Sequence, residues 1–253
     1  MAASTFTKTG TSPHAAAAEA AGLAWLREGS ECVVEVFAVD DDANTLTIPR
    51  IPSARPTPEA AFRAGVELAQ VHATGATAFG APPAGWEGPN FIGRVQQDCV
   101  PTTNWADFYV HQRVLPFASQ ALRRGTLDEA GYAVVDKACQ ALLAEGQSAP
   151  VSRIHGDLWA GNLLFGPDGP HFIDPAAHGG HALTDIAMLA LFGAPYFEEI
   201  VAGYQSRGEL SDDWRARIPI HQLHPLAVHT LTHGSGYAGE LVQAAQRTLA
   251  LLG

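Results

Sequence analysis

Two neighbouring stretches restrict what this chain can fold into more than any others. "RIHGDLWAGNLLF" fills residues 153–165 and "HFIDPAAHGG" fills residues 171–180. The apolar runs "VSRIH" and "NLLF" read as short strands around a tight "GDLWAG" loop, and "HFID" reads as a third strand. Such a loop can turn Asp157 and Asn162 toward one cavity, and Asp174, at the end of the next strand, can reach the same cavity. Polar residues that merely cap turns are the plainer reading.

The chemistry of the three side chains favours the sharper one. A carboxylate and an amide oxygen, completed by phosphate oxygens and water, suit Mg²⁺, a hard cation that rarely receives a full protein cage. Asp174 and Asn162 can supply that pair, which leaves Asp157 to take a proton from an attacking hydroxyl. Kinase-type phosphoryl transfer divides the labour in this way.

Composition bounds the rest. With 253 residues, 47% of them hydrophobic, the chain can form one large domain or two unequal lobes. A net charge of −11 argues against general nucleic-acid binding, which needs a basic footprint. No run approaches the roughly 20 apolar residues of a membrane span, and "MAASTFTKTG" has no apolar core of a secretory signal. Cys32, Cys99 and Cys139 are odd in number and widely spaced, as expected of thiols in a reducing compartment. A cytoplasmic protein is therefore expected, with a monomer favoured.

Along the chain, "STFTKT" reads as a strand. "TSPHAAAAEAAGLAWLREGS" reads as a helix with Ser12 as N-cap, Pro13 in its first turn and Gly29 at its end. Glu19, Leu23 and Leu26 share one helix face, so a carboxylate lies on the side that packs inward and needs a partner. "CVVEVFAVDDDANTLTIPRI" reads as two strands joined by a "DDDAN" turn, and the proline-rich "PSARPTP" as a linker between lobes. Helices are expected from Thr57–Pro58, over "NWADFYVHQRVLPFASQALRRG" with a bend at Pro116, and from Thr126. "APPAGWEGPNFIG" reads as a loop, and four more helices follow residue 181. The expectation is an α+β fold in two lobes, 1–51 small and β-rich, 52–253 large and mainly helical.

Six blocks in order, "EAAGLAWL", "NFIG", "WADFYVHQRVLP", "HGDLWAGN", "DPAAHGGHALTDIAMLALFG" and "HQLHPLAVH", resemble those of the fructosamine kinase (ketosamine-3-kinase) family. That family lies within the protein-kinase-like group that includes aminoglycoside phosphotransferases and choline kinases. The resemblance implies an ATP- and Mg²⁺-dependent kinase that phosphorylates a sugar hydroxyl of a ketoamine, a step in repair of glycated amines. It implies Asp157 as the catalytic residue, Asn162 and Asp174 as metal ligands, and Lys8 as the strand lysine that contacts ATP phosphates, with Glu19 its helix partner. By the same likeness "LTIPRI" is the hinge strand, with the Pro49 carbonyl and the Ile51 N–H facing adenine, and His181 and Asp185 are structural; His155, for which catalysis is the other reading, is expected to hydrogen-bond backbone and hold the loop. Trp159 is expected to line the sugar pocket. Only seven residues precede Lys8 and none is glycine, so either the true start lies upstream or the small lobe is shortened and lacks the family's glycine-rich phosphate loop.

Other readings share these residues. An aminoglycoside- or choline-type kinase would use them on another hydroxyl, and a catalytically silent binding protein would keep the fold alone. His221, His224, His229 and His233 invite a zinc reading, and His229 and His233 stand i, i+4 on a predicted helix, but no carboxylate or cysteine nearby completes the set. The alternative place for some of these four histidines is the border of the acceptor site.

Overall fold

The computed structural model describes residues 4–146 and 149–253 and is α+β in architecture. β1 (Thr5–Thr9) is an edge strand of a three-stranded antiparallel sheet ordered β1-β3-β2, with β2 spanning Ala38–Asp40 and β3 Thr45–Pro49. Lys8 lies opposite Leu46, which is fully buried, so the lysine stands on the sheet face that carries the core. The expected turn between β2 and β3 is present. The earlier part of the same run is not a strand of this sheet. Cys32 and Val34 exchange backbone hydrogen bonds with Phe172, far along the chain. A buried apolar "CVV" has no solvated face to spare, so it joins whichever sheet lies in the core.

α1 (Ala15–Arg27) carries the inward carboxylate anticipated from its spacing, with Leu23 and Leu26 buried beside it. Its start differs from expectation. The N-cap is His14, in the left-handed region at φ 64°, not Ser12. Asn44 of the β2–β3 turn accepts from the Ala16 N–H (3.1 Å), and its amide donates to the carbonyls of Gly10 and Ser12. A tertiary contact thus does the work of a local cap. α2 (Pro58–Ala73) begins as its sequence dictates, with Thr57 accepting from the Ala60 N–H.

Between α2 and the next helices lies a hairpin that the sequence reading left as loop: β4 (Asn90–Ile92) and β5 (Val95–Gln97). The bend expected at Pro116 is spread over α3 (Trp105–Phe108), a π-helical segment (Tyr109–Val114) and α4 (Leu115–Arg123). Pro116 has no N–H to continue an α-helical ladder, and the wider π turn absorbs the mismatch before it. α5 (Glu129–Glu145) is capped by Asp128, which accepts from the Gly131 N–H at 2.7 Å, rather than by Thr126.

The remaining strands hold the loop of interest. β6 (Ser152–Ile154) pairs with β9 (His178–Gly180), and β7 (Leu163–Gly166) forms a hairpin with β8 (Gly169–Phe172). β9 was not foreseen, because "HGG" has neither alternation nor β-branched residues. The chain ends in α6 (Leu183–Leu191), α7 (Phe197–Gln205), α8 (Trp214–His233) and α9 (Ala238–Leu252). Two crossings fix this helical part. At α2–α7, a Cβ on Gly65 would lie 1.8 Å from the Ile200 carbonyl, and one on Gly203 would lie 1.9 Å from that of Phe62. Only glycine lets the two backbones touch. In α8, which contains Pro219 and Pro225, the Tyr109 hydroxyl donates to the Ile220 carbonyl (2.9 Å) and accepts from the His224 N–H (3.1 Å). That hydroxyl bridges an i, i+4 backbone pair and ties the π segment to the helix.

The core forms two apolar clusters. One joins α1, β3, α2, the β7–β8 hairpin and α7, with members on both sides of residue 51. The other joins the π segment, α4, α5, α8 and α9. The loop at 155–162 sits where they meet: Leu158 belongs to the first, Ala176 to the second.

Candidate active site

Each side of the site is placed by a separate element. β6 and the β7–β8 hairpin hold the 155–162 loop at both ends, with the Ala176 N–H donating to the His155 carbonyl (2.9 Å) and the Ile173 N–H to that of Asn162 (3.1 Å). Gly156 turns the chain at φ 79°, and a Cβ there would meet the Ala176 carbonyl at 2.4 Å, so the turn admits no other residue. His155 is buried, with its Nε2 donating to the Ile173 carbonyl (2.8 Å) and its Nδ1 accepting from the Asp157 N–H (3.3 Å). Burial holds it below the usual histidine range, and its neutral ring serves as a brace.

Beneath the loop lies Asp185, fully buried in α6. Its carboxylate accepts from the His155 N–H (2.7 Å), the Gly156 N–H (2.9 Å) and His72 Nε2 (3.0 Å). His72 Nδ1 in turn pairs with the Tyr204 hydroxyl at 3.0 Å across the α2–α7 crossing. Burial pushes Asp185 up, but the His72 hydrogen bond and the donors around it outweigh that and hold it below the usual carboxylate range. The helix crossing and the loop are therefore one hydrogen-bonded unit.

Above the loop is a cavity of about 590 Å³. Lys8, Glu19, Asp157, Trp159, Asn162 and Asp174 all line it, although they come from residues 8 to 174 of the chain. Lys8 Nζ lies 2.6 Å from Glu19 Oε1 and 2.5 Å from Asp174 Oδ1. Burial alone would lower the lysine, but the two carboxylates raise it above its ordinary value, so it stays charged. Burial holds Glu19 up at about 7 against the pull of Lys8. Burial, and then the Asp174 charge, push Asp157 to about 8. Asp174 sits in the left-handed region at φ 56°, a strained backbone for a non-glycine residue that projects its carboxylate inward. Asn162 Nδ2 donates to the backbone carbonyls of Asp157 (2.7 Å) and Asp174 (3.3 Å), which leaves Oδ1 as the atom available to a cation.

Pro49 and Ile51 do not line this cavity. Pro49 pairs with Thr5 at the end of β3, and Ile51 packs on the first apolar cluster. Conversely, Phe91, Gly93 and Arg94 of the β4–β5 hairpin do line it, as do Thr9 and Gly10 after Lys8. Sequence reasoning missed this wall because three-residue strands leave no periodicity. It also missed His72 and Tyr204, for which no local signal exists.

Three carboxylates, one amine and the Arg94 guanidinium line the cavity, and the carboxylates with the Asn162 amide supply a set of hard oxygen donors. That set could hold a divalent cation such as Mg²⁺, with Asp174 and the Asn162 amide oxygen as candidate protein ligands. Beside them, Asp157 can accept a proton from a hydroxyl brought to the cavity.

Residues 4–251 match the sequence profile described as fructosamine kinase. The Escherichia coli protein named probable ketoamine kinase YniA is 32% identical over 229 residues, which cover 88% of this chain and 75% of that protein. A crystal structure of a candidate fructosamine-3-kinase from Thermobifida fusca superposes with a TM-score of 0.87 at 44% identity, covering 92% of this chain and 80% of that one. An aminoglycoside phosphotransferase, APH(4)-Ia, solved with ADP and hygromycin B, shares the fold alone, at a TM-score of 0.55 and 14% identity over 92% of this chain and 82% of its own. The fold is thus the two-lobed, protein-kinase-like α+β fold, and the chain belongs to the fructosamine kinase family of phosphotransferases.

Proposed function

We propose that the protein is an ATP-dependent kinase that transfers a phosphoryl group to a sugar hydroxyl of a small-molecule ketoamine, at the third carbon of the sugar. The observation that carries this reading is the convergence of Lys8, Glu19, Asp157, Asn162 and Asp174 on one cavity. In this reading residues 1–51 are the small lobe and 52–253 the large one, with the nucleotide between them. Lys8, held by Glu19, contacts the phosphates inside the cavity, and the Pro49–Ile51 backbone, outside the cavity at the end of β3, meets the adenine beyond it.

Asp157 orients the acceptor hydroxyl and takes its proton as the oxygen bonds to the γ-phosphorus. The bond from that phosphorus to the β–γ bridging oxygen breaks, and ADP leaves. A cation on Asp174 and Asn162 would neutralise phosphate charge and screen Asp174 from Asp157, which returns Asp157 toward its proton-accepting form. His155 and Asp185 hold the loop so that none of this requires reorganisation. Trp159, exposed at 43%, offers an aromatic face to the sugar. A ketoamine phosphorylated at the third carbon is prone to lose its amine, so the reaction serves the repair of glycated amines.

Mg²⁺-dependent ADP release, followed in parallel with fructose-lysine, ribulose-lysine, kanamycin and choline, tests the acceptor class. Turnover confined to the two ketoamines is expected. Turnover with kanamycin or choline instead would assign the site to another acceptor.

A further inference from the structure

Beside the cavity the aromatic residues form a continuous wall, and beyond Trp159 the proposed reaction does not use it. It starts at Trp159, two residues after Asp157, and its ring meets Phe192 edge-on at 6.3 Å. Phe192 lies 4.8 Å from His229, and His229 stacks on His233 at 4.8 Å with planes 18° apart. Tyr237 closes the row at 5.0 Å from His229 and 6.0 Å from His233. The wall therefore runs from the loop, over the end of α6, to the C-terminal end of α8 and the short turn Ser235–Tyr237. Core packing does not require it. Trp159 and His233 are exposed, the other three are half-buried, and none of the five belongs to either buried cluster, although Tyr237 packs against the second.

Resting on the ketoamine reading above, we propose that this wall, Trp159–Phe192–His229–His233–Tyr237, is the subsite for the amine-bearing arm of the acceptor, a protonated secondary amine and the carbon chain attached to it. Three observations support that occupant. The wall begins in the active cavity, and the third-carbon hydroxyl of a ketoamine lies two carbons from the carbon that bears the amine. A sugar held at Asp157 therefore projects its amine past Trp159. Aromatic faces attract a cation and also pack on methylenes. Burial, with His233 beside it, holds His229 down at about 4, so the ring at the centre of the wall is neutral at physiological pH and does not oppose a cation. An acidic chain of net charge −11 adds a favourable field.

The test uses calorimetry on the full chain with three probes: 1-deoxy-1-(butylamino)fructose, its neutral ether isostere 1-O-butylfructose, and fructose. The native protein is expected to bind the amine about tenfold more tightly than the ether, and the ether more tightly than fructose. In His233→Leu, and in the double variant His229→Leu/Tyr237→Leu, the amine-to-ether ratio should fall to within about threefold. Circular dichroism and thermal melting establish that each variant is folded, and the exposed His233 position guards against a variant lost to misfolding. A ratio near one in the native protein, or a ratio unchanged in folded variants, overturns the subsite. ADP release is read separately. Discrimination without turnover would contradict the kinase reading and leave the wall standing.

Discussion

At the scale of single residues, the site depends on one carboxylate that never meets a substrate. Asp185 takes two backbone N–H groups of the loop and the His72 ring. Asp185→Ala leaves those donors buried without an acceptor, which should cost at least about 3 kcal/mol. Urea denaturation is expected to show that loss together with a fall in turnover, and an unchanged midpoint would mean that the loop stands without it. Much of the site was legible in advance because its residues carry local marks. Asp157 and Asn162 share one tight loop, Asp174 ends the next strand, and Glu19 betrayed itself as a carboxylate on an inward helix face. The Asp185–His72–Tyr204 network was not legible as a network. Its members lie in α6, α2 and α7, and only the packed helices bring them together.

At the scale of elements, glycine decides how closely α2 and α7 approach, and that approach sets the pair His72–Tyr204. Gly65→Ala would place a methyl inside the Ile200 carbonyl and should destabilise the fold by about 3 kcal/mol or more. Gly239→Ala in α9, where nothing lies within 4 Å, serves as its control and should change stability by less than about 1 kcal/mol. Equal thermal melting of the two variants would contradict the tight crossing. The helices themselves were readable from caps and periodicity, as Thr57 illustrates. What escaped were elements specified by distant partners. The His14 cap depends on Asn44, the "CVV" run pairs with Phe172, and β4, β5 and β9 are too short to show a period.

At the scale of the whole molecule, buried histidines give the fold a direction of pH dependence. Burial holds His178 at about 3 and His181 at about 4, against an ordinary value of 6.5, and lowers His155, His221 and His224 as well. Because the folded values lie below the unfolded one, the unfolded chain takes up protons first as pH falls. The histidines' share of the stability is complete above about pH 6.5 and is lost progressively below it, by about 2 kcal/mol per ring at pH 5 for His178 and His181, while the raised Glu19 and Asp157 act in the opposite sense. Denaturant midpoints at pH 7 and pH 5 in a Glu19→Gln/Asp157→Asn background, which removes that opposing effect, should show the drop, and equal midpoints there would mean the rings are hydrated. Function belongs to the same scale, since the cavity exists only where β1, α1, the β4–β5 hairpin and the 155–162 loop meet. The most direct measurement of the central claim is mass spectrometry of the acceptor after incubation with ATP, Mg²⁺ and a ketoamine, using the native chain and Asp157→Asn. The account predicts a ketoamine carrying one phosphoryl group from the native chain, and at least about a hundredfold less from the folded, nucleotide-binding variant. Equal product from both, or none from a native chain that binds nucleotide and ketoamine, would contradict it.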